Sequence, residues 1–265
     1  MKSVEAINLN QRAFGAQILT ADTGAMRSVF YLTGLPLNDK KPARGGVPVL
    51  FPQFADTGPL QKHGFARDCA WTLMSDEADG NTKRTVMGLS IKEGDFADWP
   101  HRAELRLTST LTESTLSIDL EVSNAGADPF AWTGGLHPYF KVEAWEKAGL
   151  TGLDGVALRD RYDASRAREA KARVTWGHGE VEVLYDTSNE LVLHNGARKL
   201  LLTMRGFDQW MLWNPGERGM MGIKDAPLDA WAEFVCVEPV LVDRPCRLGP
   251  NESFVGGIDI RLVSE

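Results

Sequence analysis

The sequence predicts an all-β protein, a large antiparallel β-sandwich, and three observations carry that prediction. The dominant hydrophobic period is two. Short apolar runs recur with Gly, Asn, Asp or Pro between them. Helix signals are few. Alternation marks strands with one buried face, and short strands separated by turn residues are the pattern of a sandwich. The chain has 265 residues, 43% of them hydrophobic, enough for a substantial core. No fixed-period repeat, low-complexity tract or long linker divides it, so residues 1–265 are read as one domain.

Residues 103–122 (AELRLTSTLTESTLSIDLEV) give the clearest strands. Leu105 and Leu107 point one way while Arg106 and Thr108 point the other. In the second run Leu116, Ile118, Leu120 and Val122 share a face. The short polar break at 112–114 reads as a hairpin turn, and 124–128 (NAGAD) as the next turn. Strands are also expected at 199–204 (KLLLTM), 209–213 (QWMLW), 233–240 and 253–263. Residues 163–172 (DASRAREAKA) read equally as a short Asp-capped helix or a solvated charged loop, and 227–232 as one helical turn.

Formal net charge is −7, with no Lys/Arg run, which argues against a nucleic-acid or membrane-surface partner. The N-terminal MKSVEAINLNQRAF lacks the apolar run of a secretory signal, and no stretch approaches the ~20 apolar residues of a membrane span. Cys69, Cys236 and Cys246 are odd in number and widely spaced, so no disulfide framework or CxxC metal site is expected. A reducing, cytoplasmic setting and a monomer are the expectation. The five histidines show no HxxxH or HExxH spacing, and there is no GxSxG elbow, P-loop or GxGxxG.

Three segments carry candidate chemistry. Residues 44–67 (RGGVPVLFPQFADTGPLQKHGFAR) open on Arg44, close on Arg67 and include Lys62 and His63. Their Gly and Pro content rules out one long helix and suits a loop-rich wall. Arginine offers a planar fork of donors to phosphate or carboxylate. The plainer reading pairs each arginine with a nearby carboxylate, such as Arg67 with Asp68. In 132–142 (WTGGLHPYFKV), His137 follows a Gly pair and precedes aromatics, as either a proton donor or a partly buried structural His. In 234–239 (FVCVEP), Glu238 ends an apolar run. Exposure at a strand end is the commoner fate of such a carboxylate, work in a site the alternative.

Together these segments resemble the glucose-6-phosphate 1-epimerases, the hexose-6-phosphate mutarotases of the aldose 1-epimerase superfamily. The motifs are RGGVPVLFP (44–52), KHGFAR (62–67) with Trp71, WPHRAELRLT (99–108), GGLHPYFKV (134–142), WNPG (213–216) and FVCVEP (234–239). The resemblance spans 39–239 and is poorest over 145–178. It implies the large sandwich of galactose mutarotase, no metal and no organic cofactor. It further implies His137 as general acid and Glu238 as general base, with Arg44 and Arg67 on the sugar phosphate and His63 beside a hydroxyl. Lys62 stands where relatives often have a Gln that contacts substrate. Residues 179–185 (GEVEVLY) align Glu182 with a family Asp that touches the sugar, one methylene longer and so a source of altered sugar preference. Anomer exchange opens the hemiacetal: O1 loses a proton, the ring oxygen gains one, and closure follows rotation about C1–C2. An ionised Glu (reference pKa about 4.3) and a His near 6.5 suit that division at neutral pH. Three other readings stay open: an epimerase of unphosphorylated aldoses, a sugar-phosphate-binding regulator without turnover, and a glycosidase.

Overall fold

A computed structural model describes residues 7–27, 29–161 and 168–263. Two large sheets lie face to face, and every strand ladder in them is antiparallel. Among the described residues the first has nine strands and includes Thr82–Ile91, Ala103–Leu111, Thr115–Asn124, Ser253–Val263, Arg198–Arg205 and Leu191–Asn195. The second runs in the order Arg168–Glu169, Ala157–Asp160, Val181–Tyr185, Gln209–Asn214, Phe234–Leu248, Phe130–Leu136, Val49–Leu50. Tyr139–Lys141 also pairs with Phe234–Leu248.

The alternation read from sequence is the burial pattern found. In Ala103–Leu111 the odd positions are buried, and Leu116, Ile118, Leu120 and Val122 are fully buried on the adjoining strand. A side-chain period of two sends alternate residues to opposite faces. The expected strand at 253–263 is found with those bounds, and those at 199–204 and 209–213 gain a residue or two at their ends. Of the 163–172 segment, 163–167 lie outside the described residues. Arg168–Glu169 is a short strand paired with Ala157 and Leu158, not helix. The turn expected at 227–232 is a 3₁₀ turn at Ala230–Glu233.

The strand expected at 233–240 is instead fifteen residues long, Phe234–Leu248. It continues through Pro239, which stands opposite Trp210 and gives up one ladder donor. Glu238 is therefore in the interior of a central strand, not at a strand end.

The two faces of the second sheet do different things. On one, Val181, Val183, Tyr185, Trp210, Leu212, Val235 and Val237 join the main core against the nine-stranded sheet. On the other, Glu182 lies across from Trp213, Leu184 across from Met211, and Met211 across from Glu238. This outer face carries the cavity. Gly134 and Gly135 let the neighbouring strands close tightly beside it. At φ +147° and +154°, a Cβ there would lie 2.0 Å from the Leu50 carbonyl oxygen and 2.2 Å from that of Pro239.

Candidate active site

A cavity of about 140 Å³ opens on the outer face of the second sheet. Its walls include His137 and Glu238, the cations Arg44, Lys62, Arg67 and Arg161, and also His63 and Glu182. Every residue singled out from sequence thus meets at one place, although they span nearly 200 residues. The strands set their order. Glu182 is two strands from Glu238, and His137 follows the strand on the far side of Glu238. Arg44, Lys62, His63 and Arg67 descend from the loop-rich wall. Gly64 shapes that wall: at φ +67°, a Cβ would meet the Phe51 carbonyl oxygen at 2.2 Å. His63 itself adopts φ +68°, a left-handed conformation that a non-glycine residue holds at a cost.

His137 and Glu238 are the centre. Nδ1 of His137 and Oε1 of Glu238 are 3.4 Å apart, and both side chains are almost wholly buried. The contact is not aligned as a hydrogen bond: His137 Nδ1 and Glu238 Oε2 are buried without a partner. Such loose geometry is usual before a substrate supplies the missing atoms. Tyr139 stacks on the His137 ring at 4.8 Å between centroids, and Trp213 meets it edge-on at 5.8 Å.

The sequence reading gave this pair ordinary pKa values; burial moves them in opposite directions. His137 is held well below 6.5 by desolvation, then by His63 and the cations Arg67, Arg44 and Lys62. Glu238 is pushed well above the carboxylate range by desolvation, then by Glu182. Burial therefore favours a neutral His137 and a protonated Glu238, because an isolated buried charge is costly. Moving one proton from Glu238 to His137 gives a carboxylate and an imidazolium without changing the net charge.

His63 is also kept neutral, its pKa lowered to about 2 by burial, then by Arg67 and Lys62. Its Nδ1 accepts the Ala55 N–H at 3.2 Å. The neutral ring then carries its proton on Nε2, as a donor. This has a stability consequence with a definite sign. The native state refuses a proton that the unfolded chain accepts below about pH 6.5, so the neutral His63 stabilises the fold above that pH and progressively less below it. Wild type should lose about 1.4 kcal/mol per pH unit relative to His63→Gln as pH falls below 6.5. Denaturant unfolding at several pH values measures this; a pH-independent difference would show that His63 titrates normally.

The arginines are bound differently. Arg44 donates from Nε and Nη2 to Asp225 at 3.0 and 3.1 Å, and from Nη1 to the Tyr139 hydroxyl at 3.0 Å. Its carboxylate partner exists, but 181 residues away. Arg67 is only 3.8 Å from Asp68, which instead accepts from Gln61 at 2.9 Å. Arg67 donates to the Lys62 carbonyl, and its Nε is buried without a partner. Burial lowers its pKa, the mark of an under-compensated buried cation.

Arg161 was not foreseen. It donates to Glu182 at 2.7 Å and to Asp56 at 2.8 and 3.0 Å, clasping the wall loop to the sheet. It lies in the tract where the family motifs are weakest, and a lone arginine among many charges gives no local signal. His137, Cys236 and Glu238 place donor atoms within 4.8 Å of one another, the nearest approach to a metal-ligand trio among the described residues. Cys236, however, packs with Tyr139 and Phe234 rather than lining the cavity.

Fold and site define a β-sandwich with a buried His–Glu pair beside a cationic wall, the setting of a sugar isomerase. The aldose 1-epimerase profile matches residues 15–261, and the chain belongs to that family. Relatives from a plant and from enteric bacteria carry the provisional name glucose-6-phosphate 1-epimerase. The one from Cenchrus ciliaris is 26% identical over 262 residues, covering 94% of this chain and 80% of the relative. The one from Escherichia coli K12 is 29% identical over 229 residues, covering 84% and 76%. A crystal structure of a provisionally named mutarotase from Salmonella typhimurium superposes with a TM-score of 0.86 at 24% identity, covering 96% of this chain and 86% of that one. Galactose 1-epimerase from Lactobacillus acidophilus shares the fold, with a TM-score of 0.71 at 12% identity, covering 99% and 92%. No helix among the described residues is long and apolar enough to cross a membrane.

Proposed function

We propose that this protein interconverts the α and β anomers of hexose 6-phosphates, with glucose 6-phosphate as the leading substrate. One observation carries the reading: the His137–Glu238 pair, 3.4 Å apart, shares its cavity with Arg44, Lys62 and Arg67. The names of the curated relatives point the same way.

In this reading Glu238 takes the O1 proton while His137 protonates the ring oxygen. C1 becomes the open-chain aldehyde, rotates about C1–C2 and presents its other face. On closure His137 recovers the proton and Glu238 returns one to O1. Each transfer typically contributes about 10²- to 10⁴-fold. The 6-phosphate lies against Arg67 and Lys62 and shares Arg44 with Asp225. Its negative charge offsets the cations that hold His137 neutral, so substrate itself favours the proton on His137. His63 Nε2 and Glu182 hold ring hydroxyls. The longer reach of Glu182 compared with the family Asp is the proposed source of any shift in sugar preference. Cys69, Cys236 and Cys246 are unpaired thiols, which fits a cytoplasmic setting; a monomer is part of the proposal.

The test is anomer-exchange NMR on glucose 6-phosphate and on glucose, with chelator-treated protein. Exchange accelerated for the phosphate sugar is expected. Equal acceleration of glucose would favour the aldose reading. Binding without acceleration would favour the non-catalytic regulator.

A further inference from the structure

Behind Glu182 the cavity does not end. A second recess of about 240 Å³ adjoins it, and Phe54, Ala55, Arg161, Glu182 and Met211 border both spaces. Its floor is apolar: Leu184, Met211 and Val242 pack there with Phe54. Its rim is polar, with Asp56 and Arg161 held together at 2.8 Å and Arg159 paired to Asp243. Nothing in the proton transfers uses this space.

Ring chemistry says which part of the sugar faces it. The order of the sheet separates two ends of the site. Arg161 and Glu182 stand at the strands on one side of Glu238, whereas His137, Tyr139 and Arg44 stand on the other. In a hexopyranose 6-phosphate, the phosphate hangs from C5 through C6. O5 and C1 follow C5 around the ring, and C2 lies diametrically opposite C5. With the phosphate against Arg44 and Arg67, at the Tyr139 end, and O5 and C1 at His137 and Glu238, C2 is turned toward Glu182 and Arg161.

On the basis of that mutarotase reading, we infer that the recess seats a substituent on C2, and that 2-acetamido-2-deoxyhexose 6-phosphates are substrates. A C2 hydroxyl is too short to cover an apolar floor beyond Glu182. An acetamido group places a methyl on that floor, where burial is favourable, and keeps its amide at the polar rim. The reaction is unchanged: the hemiacetal opens and closes at C1–O5, and the amide neither gains nor loses a proton.

The test compares N-acetylglucosamine 6-phosphate with glucose 6-phosphate by anomer-exchange NMR, in wild type and in Val242→Trp, which fills the recess from a position that lines it alone. Wild type is expected to accelerate exchange of both sugars. Val242→Trp is expected to cut kcat/KM for the acetamido sugar at least about tenfold, as steric exclusion does, and that for glucose 6-phosphate less than about twofold. Glucose 6-phosphate turnover in the same variant is the control for folding. Val242→Phe provides a milder filling should Trp disturb the strand. Exchange of glucose 6-phosphate alone by wild type overturns the inference. So does an equal loss on both sugars in Val242→Trp and Val242→Phe. Exchange of neither sugar by wild type instead overturns the mutarotase reading on which it rests.

Discussion

Replacing Glu238 by Gln is expected to lower kcat for glucose 6-phosphate anomer exchange by about 10²- to 10⁴-fold, with KM changed little. The amide keeps the shape and removes the base. The fold should survive the change. Glu238 Oε2 has no hydrogen-bond partner, and burial already favours its uncharged form, so a neutral amide suits that environment. Unfolding temperature unchanged or raised, together with lost turnover, separates a chemical role from a structural one. Turnover near wild type in Glu238→Gln would sink the assignment. His137→Asn tests the other half of the pair by the same readout.

Arg67→Ala is expected to weaken glucose 6-phosphate by roughly 10- to 150-fold in kcat/KM while leaving unphosphorylated glucose nearly unaffected. That range is the ~1.5–3 kcal/mol of a charge-assisted hydrogen bond. Arg67 is a cleaner test than Arg44. Arg44 is already held by Asp225 and Tyr139, so its removal strands a carboxylate and a buried phenol as well as any ligand. Arg67 keeps a buried Nε unpaired, one hydrogen bond to the Lys62 carbonyl and only a distant contact with a carboxylate, Asp68. Parallel assays on the two sugars decide the matter: equal losses would reduce Arg67 to a structural residue.

What could be read from sequence followed period and motif. Strand faces were legible because burial in a half-covered sheet repeats every two residues, as in Ala103–Leu111. Local sequence singled out the arginines, His137 and Glu238 as candidates with structural alternatives, and only the family resemblance gave them particular roles and added Glu182. Taken locally, Glu238 looked like an exposed strand end because it closes the apolar run FVCV, yet the strand runs on to Leu248. Arg161, Asp56 and Asp225 were invisible for a different reason. Their pairings join residues 105, 21 and 181 positions apart, and no local pattern encodes such a meeting. The pKa directions of His137 and Glu238 were likewise out of reach, since they depend on how completely the fold removes water.

The outward position of the cavity has an evolutionary consequence. Along Gln209–Asn214, Trp210 and Leu212 belong to the core while Met211 and Trp213 face the ligand space. The strand carrying Glu182 and Leu184 divides in the same way from Val181 and Val183. One set of positions is answerable to folding, the interleaved set to the ligand. Mutations that explore new sugars can therefore accumulate in the second set without passing through unfolded intermediates. A scaffold wired this way can diversify its chemistry while its interior stays still.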